Sequence, residues 1–306
     1  MRNVVLLCLD TVRQDYFDRF ASRLTEQADT VYTQCRAASG WSIPSHASMF
    51  TGELPHVHGV HTHSRQYSQI DRAETFIADL PTHTHIGVST NAYASGAYGF
   101  DSYFDEFTDV SRDGLQFEDG LSPTDPSIDG PMDFLSRSLR HRHPLRSVAN
   151  GVLWKFNPYD YLYSGRPWPE RKDNGTREAL SVARSRILDS ESTNTPVFAF
   201  LNLMEAHFPM YHHREYDQEL HSVSNSWTSK EGPDGGAYDI SHNVEEYEQY
   251  LENYRELYRA SIDYMDRHVS AWIEELCRNT NNDTTVVITS DHGHNLGTEA
   301  DGFLFG

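Results

Sequence analysis

The sequence predicts an α/β fold, a mostly parallel sheet wound on both faces by helices. Three observations predict it. Four short runs are continuously apolar, as strands buried on both faces must be: "NVVLLCLD" (3–10), "THIGVST" (84–90), "PVFAFLNLM" (196–204) and "TTVVITSD" (284–291). Helical periodicity fills much of the chain between them. Three of the four runs end in titratable side chains, at the edge where open α/β sheets bind ligands.

Taken in order, the first run ends at Asp10. The stretch "SGWSIPSHASMFTG" (39–52) follows, with five hydroxyl side chains around one proline. It reads as a turn opening a short helix. Its hydroxyls either cap free N–H groups or include a nucleophile, with Ser42 facing an anion at the helix start. His56, His58, His61 and His63 crowd the next loop, and His58 is the best of them for a structural hydrogen bond near the site. The second run is followed by Asn91, a polar wall for the site.

The stretch at about 109–172 breaks the alternation. It is rich in Gly, Pro, Asp and aromatics, then basic at "RSLRHRHPLR". We read it as an insertion over one edge of the sheet, with its aromatic and basic part at about 134–170 as the selector of substrate. A helix is expected over 175–188. The third run leads into "NLMEAHFP", with Glu205 and His207. A surface loop is expected over 222–243. Then Val244, Tyr247, Leu251, Tyr254, Tyr258, Ile262, Met265, Val269, Trp272 and Leu276 keep three-or-four spacing, which predicts a long helix over 244–277. The last run ends in "SDHGHN", presenting Asp291, His292 and His294.

Composition narrows the function. A net charge of -20 excludes binding along a phosphate backbone, which needs a basic face. Lys is scarce, with 22 Arg against Lys155, Lys172 and Lys230 alone, and this tilts the reading toward a chain adapted to high salt, a halophilic protein. Cys8, Cys35 and Cys277 are too far apart for a CxxC metal site or a disulfide framework, and Cys8 reads as a small buried hydrophobe. No leader and no bilayer-length apolar run is present, so a cytoplasmic location without membrane partners is expected. Asp10, Asp291 and His292 together compose a divalent-cation site of two carboxylates and an imidazole. Calcium, magnesium, manganese and zinc all suit it. Such a cation would lower the pKa of a nearby hydroxyl and neutralise an anionic ester.

The motifs resemble the sulfatase branch of the alkaline phosphatase superfamily. "LLCLDTVRQD", "SIPSHASMFTGELPHVHGV", "GFDSYFDEF", "NLMEAHFP" and "VVITSDHGHNLG" stand in family order from one end of the chain to the other. The resemblance implies an alkaline phosphatase-like sandwich, with residues 1–306 as the N-terminal part of the family domain. It implies Ser42 as nucleophile and metal ligand, with Asp10, Asp291 and His292 as the other ligands. It implies His207 as a contact to the anionic group or leaving oxygen, and Arg13 in the turn after the first metal strand. Two departures stand out. Thr11 replaces the second Asp that many members carry, and His46 replaces the Arg that supports the nucleophile in the motif for conversion to formylglycine. The family normally continues with a smaller C-terminal subdomain, which we expect to be missing, the sequence being a fragment.

Three functions remain open on these residues. The first is a metal-dependent sulfuric ester hydrolase acting on a small-molecule sulfate ester such as a sulfated sugar, with Ser42 as formylglycine. The second is a phosphomonoester, phosphodiester or phosphonate ester hydrolase or transferase using unmodified Ser42. The third is an inactive homologue that keeps anion binding. A hydrated aldehyde has a second hydroxyl that drives sulfate out; plain Ser lacks it, yet suffices for phosphorus because water attacks phosphoserine.

Overall fold

Five strands lie parallel in one sheet, in the order β3-β2-β4-β1-β5. They are β1 (Asn3–Leu9), β2 (Thr84–Ser89), β3 (Glu106–Asp109), β4 (Val197–Leu203) and β5 (Thr284–Thr289). The computed structural model describes residues 2–110, 120–121, 128, 130–156, 173–193, 195–231 and 244–297. Eight α-helices lie within these residues: α1 (Gln14–Phe20), α2 (Ser22–Gln27), α3 (Ser42–Thr51), α4 (Pro55–His58), α5 (Gly130–Arg140), α6 (Pro144–Phe156), α7 (Thr176–Ser192) and α8 (Val244–Asn279).

Alternation along β1 builds two cores. Val5, Leu7 and Leu9 point to one face, where they join residues of α7 and α8 such as Ala183, Ile187, Tyr258 and Met265. Leu6 and Cys8 point to the other, which is closed by Ile43, Ala47 and Phe50 of α3 with an aromatic cluster of Tyr67, Phe100, Tyr103 and Phe200. A buried Leu or Phe contributes about 2 kcal/mol through lost apolar exposure, so both faces are needed to hold the central strands. α8 is fastened at two points beyond its apolar stripe. Trp272 donates its indole N–H to the Leu180 carbonyl of α7 at 2.7 Å, and Asp266 accepts the first backbone N–H groups of α2 from Arg23 and Leu24.

The four apolar runs are four of the strands. The fifth, β3, spells "EFTD" and has no apolar run, because it is a short edge strand partly exposed on both faces. The predicted helices at 175–188 and 244–277 correspond to α7 and α8. Within the expected insertion, α5 and α6 pack against each other through Phe134 on Gly151, and "RSLRHRHPLR" covers the end of α5, the turn at 141–143 and the start of α6. The rest of that stretch at 111–119, 122–127, 129 and 157–172 lies outside the described residues, as do 232–243 of the expected loop. Cys8 is buried, Cys35 and Cys277 are exposed, and all three are free. Among the described residues, no helix is long and apolar enough to cross a membrane.

Register places the site. Leu9 pairs with Leu203 and Cys8 pairs with both Asn202 and Thr289, so Asp10, Asn202 and the residues after Thr289 reach one edge together. β5 is the outer strand on this side and is half-buried, with Val287 45% exposed.

Candidate active site

The hydroxyls of α3 separate into structural groups and one other. Ser45 Oγ donates to the Ser39 carbonyl and Thr51 Oγ1 to the Ala47 carbonyl, while Ser48 Oγ meets His58 Nε2 at 2.9 Å. The Val60 amide donates to His58 Nδ1, so the proton sits on Nε2 and is donated to Ser48. Ser42 alone turns inward. It is the first residue of α3, buried, with Trp41 extended before it. The first N–H groups of the helix have no carbonyl of their own, and Pro44 in that turn gives up no hydrogen bond. The helix stops where Gly52 adopts φ +71, a conformation that favours glycine.

Asp10 follows β1 directly, and the chain turns sharply at Thr11, which holds φ +62. For a β-branched residue this is strained backbone. Thr11 is tied down from three sides. Its hydroxyl reaches the Asp10 and Ala206 carbonyls, its carbonyl accepts from Tyr258 Oη of α8, and its amide donates to Asp291 Oδ1 at 3.2 Å.

Two asparagines fix the carboxylate of Asp10. Asn91 Nδ2 donates to Asp10 Oδ2 at 2.6 Å and to Ser42 Oγ at 3.2 Å. Asn202 Nδ2 donates to the same Asp10 oxygen at 3.1 Å and to His46 Nε2 at 3.0 Å. His46 Nδ1 in turn donates to the Ser42 carbonyl at 2.7 Å, so the imidazole bridges the nucleophile helix to β4 and is fully buried. Its Nδ1 also lies 3.7 Å from Asp291 Oδ2.

Asp291 and His292 follow β5. The His292 amide donates to Asp291 Oδ1, and its Nδ1 donates to the Gly293 carbonyl at 2.7 Å. That leaves the Nε2 lone pair turned toward Ser42 Oγ at 3.3 Å and Asp291 Oδ2 at 3.5 Å, the orientation a metal ligand needs. Asp10, Asp291 and His292 each offer a ligand atom, all within 4.8 Å of one another. Asp10 Oδ1 and Asp291 Oδ2 are buried and have no hydrogen-bond partner. Two bare carboxylate oxygens at one buried point are costly unless a cation sits between them. The residues therefore fit a divalent ion.

The electrostatics agree. Burial and the charge of Asp291 push the Asp10 carboxyl above its ordinary value. Burial also opposes ionisation of Asp291, but the His292 and His46 rings and donors from Ser42 and Thr11 outweigh it and hold that carboxyl low. Burial pushes His292 down, while Asp291 and Asp10 outweigh it and leave the imidazole above its ordinary value.

The structure brings Asp10, Ser42, His46, Asn91, Asp291 and His292 together. His207 stands nearby, partly buried, with Nδ1 donating to the Phe208 carbonyl and its ring 6.4 Å from that of His294. The guanidinium of Arg13 is engaged by Asp15 and by the His294 carbonyl, above the loop after β5. Sequence reasoning missed Asn202, whose one signal is a lone amide within an apolar strand. It also missed Tyr254 and Tyr258 of α8; Tyr254 Oη meets His294 Nε2 at 2.7 Å, and both rings stack on that imidazole.

A parallel sheet with an acid–imidazole–hydroxyl cluster beyond its carboxyl edge defines the class: open α/β proteins whose candidate site lies at that edge. The sulfatase family profile matches residues 2–304, and the chain belongs to the sulfatase family, a family of ester hydrolases. Solved structures share the fold at low identity. Ps i-CgsB is 13% identical with a TM-score of 0.52, matching 99% of this chain and 64% of its own. BT4656, solved with its substrate D-glucosamine-2-N,6-O-disulfate, is 14% identical with a TM-score of 0.51, over 99% and 67%. The protein yidJ from Bacteroides fragilis is 18% identical with a TM-score of 0.49, over 99% and 64%. The chain spans 56% to 67% of the length of such structures. No curated protein matches it in sequence.

Proposed function

We propose that the protein is a metal-dependent hydrolase of a sulfate ester, with the group at position 42 as nucleophile. One observation carries the reading: Asp10, Asp291 and His292 each offer a ligand atom within 4.8 Å of one another beside Ser42 Oγ, and each of the two carboxylates keeps one buried oxygen without a hydrogen-bond partner. A divalent cation held by Asp10, Asp291, His292 and Ser42 would lower the pKa of the hydroxyl and neutralise charge on the ester. Asn91 donates to Ser42 Oγ and fixes its lone pairs, so the hydroxyl proton lies toward His292 and Asp291. The first turn of α3 presents its N–H groups to the anion. His207 would contact the anionic group or the leaving oxygen. His46 and Asn202 hold the helix and Asp10 in register.

A second reading is favoured by His46. An imidazole stands in place of the maturation Arg, and both of its nitrogens are committed inside the fold. Unmodified Ser42 would then serve a phosphate or phosphonate ester through a phosphoserine intermediate.

The mass of the tryptic peptide spanning 37–65, taken from protein made in its native host, separates the two. A loss of two hydrogens at Ser42, with turnover of sulfate esters that stops in excess chelator, is the expected result. An unmodified Ser42 with turnover of phosphate esters selects the second reading. Turnover unchanged by chelator overturns both, and full activity in Ser42→Ala removes the nucleophile assignment.

A further inference from the structure

The helical hairpin of α5 and α6 is unlike the rest of the molecule in charge and in exposure. Its inner seam is closed: Ser138, Ser147 and Asn150 are buried, Phe134 lies on Gly151, and Ser147 and Asn150 hold the backbone of Leu121. Its tip is open. Leu139 is 63% exposed and Leu145 87%, on either side of the turn, and Met132 farther along α5 is 78% exposed. The ten residues 137–146 hold four arginines and two histidines and not one acid, in a chain whose net charge is -20. Arg140, Arg142 and Arg146 are all exposed.

We propose that this tip docks the protein on an anionic lipid surface, with Leu139 and Leu145 entering the acyl boundary and the arginines lying among the headgroups. Exposed leucines beside clustered arginines are the composition of an interfacial element. Charge complementarity selects the lipid surface: four arginines within ten acid-free residues of an acidic chain flank two of its most exposed leucines. A protein partner fits less well. Stable protein interfaces bury roughly 800 Å² on each side over a broad patch, whereas a projecting turn offers a few side chains. A peripheral mode needs no membrane-spanning helix. It revises the expectation of no membrane partner, and it is independent of which ester the site cleaves.

The test is flotation of the whole chain with vesicles of phosphatidylglycerol and phosphatidylcholine, against vesicles of phosphatidylcholine alone. We expect binding to the anionic vesicles, weakened by salt. Each arginine near an anionic surface contributes about fivefold in affinity. Arg140→Glu with Arg142→Glu should therefore lower binding at least tenfold. Leu145→Asp should lower it with the far-UV circular dichroism and melting temperature of the parent. Equal binding to both vesicle types, no binding to either, or binding untouched by these substitutions overturns the proposal. So does a concentration-dependent dimer in sedimentation that Leu145→Asp dissolves, because the tip is then a contact between copies of the chain.

Discussion

The two ends of the central strands both bury acids, and they treat them in opposite ways. At the amino edge, Glu191 Oε1 accepts from Asn3 Nδ2 at 2.7 Å and from the Asn282 amide at 3.2 Å, while Oε2 accepts from the Asn281 amide at 2.8 Å. Asn3 closes the circuit by accepting from the Val197 amide. Burial would raise this carboxyl, but those donors prevail and hold it below its ordinary value. At the carboxyl edge, Asp10 and Asp291 each leave an oxygen bare. A buried acid is common to both places; what differs is whether its lone pairs are spent. The first arrangement ties β1, β4 and the start of β5 together, and the second leaves lone pairs that the proposed cation would take up.

The strongest challenge to this contrast is a crossed pair of substitutions. Asp291→Asn should lower turnover about a thousandfold or more and change the melting temperature less than Glu191→Ala does, since the amide oxygen still accepts from Thr11 and His292 and a like charge is lifted from Asp10. Glu191→Ala should cost about 2 to 3 kcal/mol of stability and leave the activity of the folded fraction unchanged. Hydrolysis rates and thermal melts on both variants decide it. A destabilised Asp291→Asn would mean that the upper acids are structural as well.

Glu205 sharpens the contrast through pH. Burial first and the Asp173 charge second raise it to about 7, against donors from Tyr216, Asn174 and Thr176 that pull it down. The folded chain binds this proton more tightly than the unfolded chain, whose ordinary value is 4.5. Stability contributed by this group is full below pH 4.5 and is lost as pH rises through about 7. Glu191 runs the other way: its contribution is present above its unfolded value and lost as pH falls through its lowered one. Glu205→Gln can keep its acceptor toward Asn174 and Thr176 and donate to Tyr216. It should flatten the decline in denaturant stability between pH 5 and 8; a decline as steep as the parent's would assign it to another group.

The smallest expected effect concerns Thr11. Glycine tolerates φ +62 while losing both hydroxyl bonds, and alanine loses the bonds and keeps the strain. The melting temperatures should fall in the order parent, Thr11→Gly, Thr11→Ala, with about 1 kcal/mol between the last two. The reverse order for Gly and Ala would deny the strain.

Much of this was legible in the sequence, and for definite reasons. Unbroken apolar runs announced β1, β2, β4 and β5, and the spacing from Val244 to Leu276 announced α8. The six residues from Asp10 to His292 that meet at the site lay at strand ends or at one helix start, where topology leaves few destinations. β3 was hidden because an exposed edge needs no apolar run. Glu205 illustrates the limit best. By type and place it matched Asp10 and Asp291, yet its oxygens are spent on Tyr216, Asn174 and Thr176. Whether an acid is satisfied depends on neighbours far along the chain, here up to 31 residues away, and composition does not carry that.

The position of β5 has a consequence for motion. Two of the expected ligands hang from the end of a strand that, among the described residues, pairs on one side only, with β1. Opening that edge separates Asp291 and His292 from Asp10 and Ser42 without disturbing the centre of the sheet. Release of the proposed ion would then be coupled to fraying of the strand, and amide exchange along Thr284–Thr289 would time how long the site stays assembled.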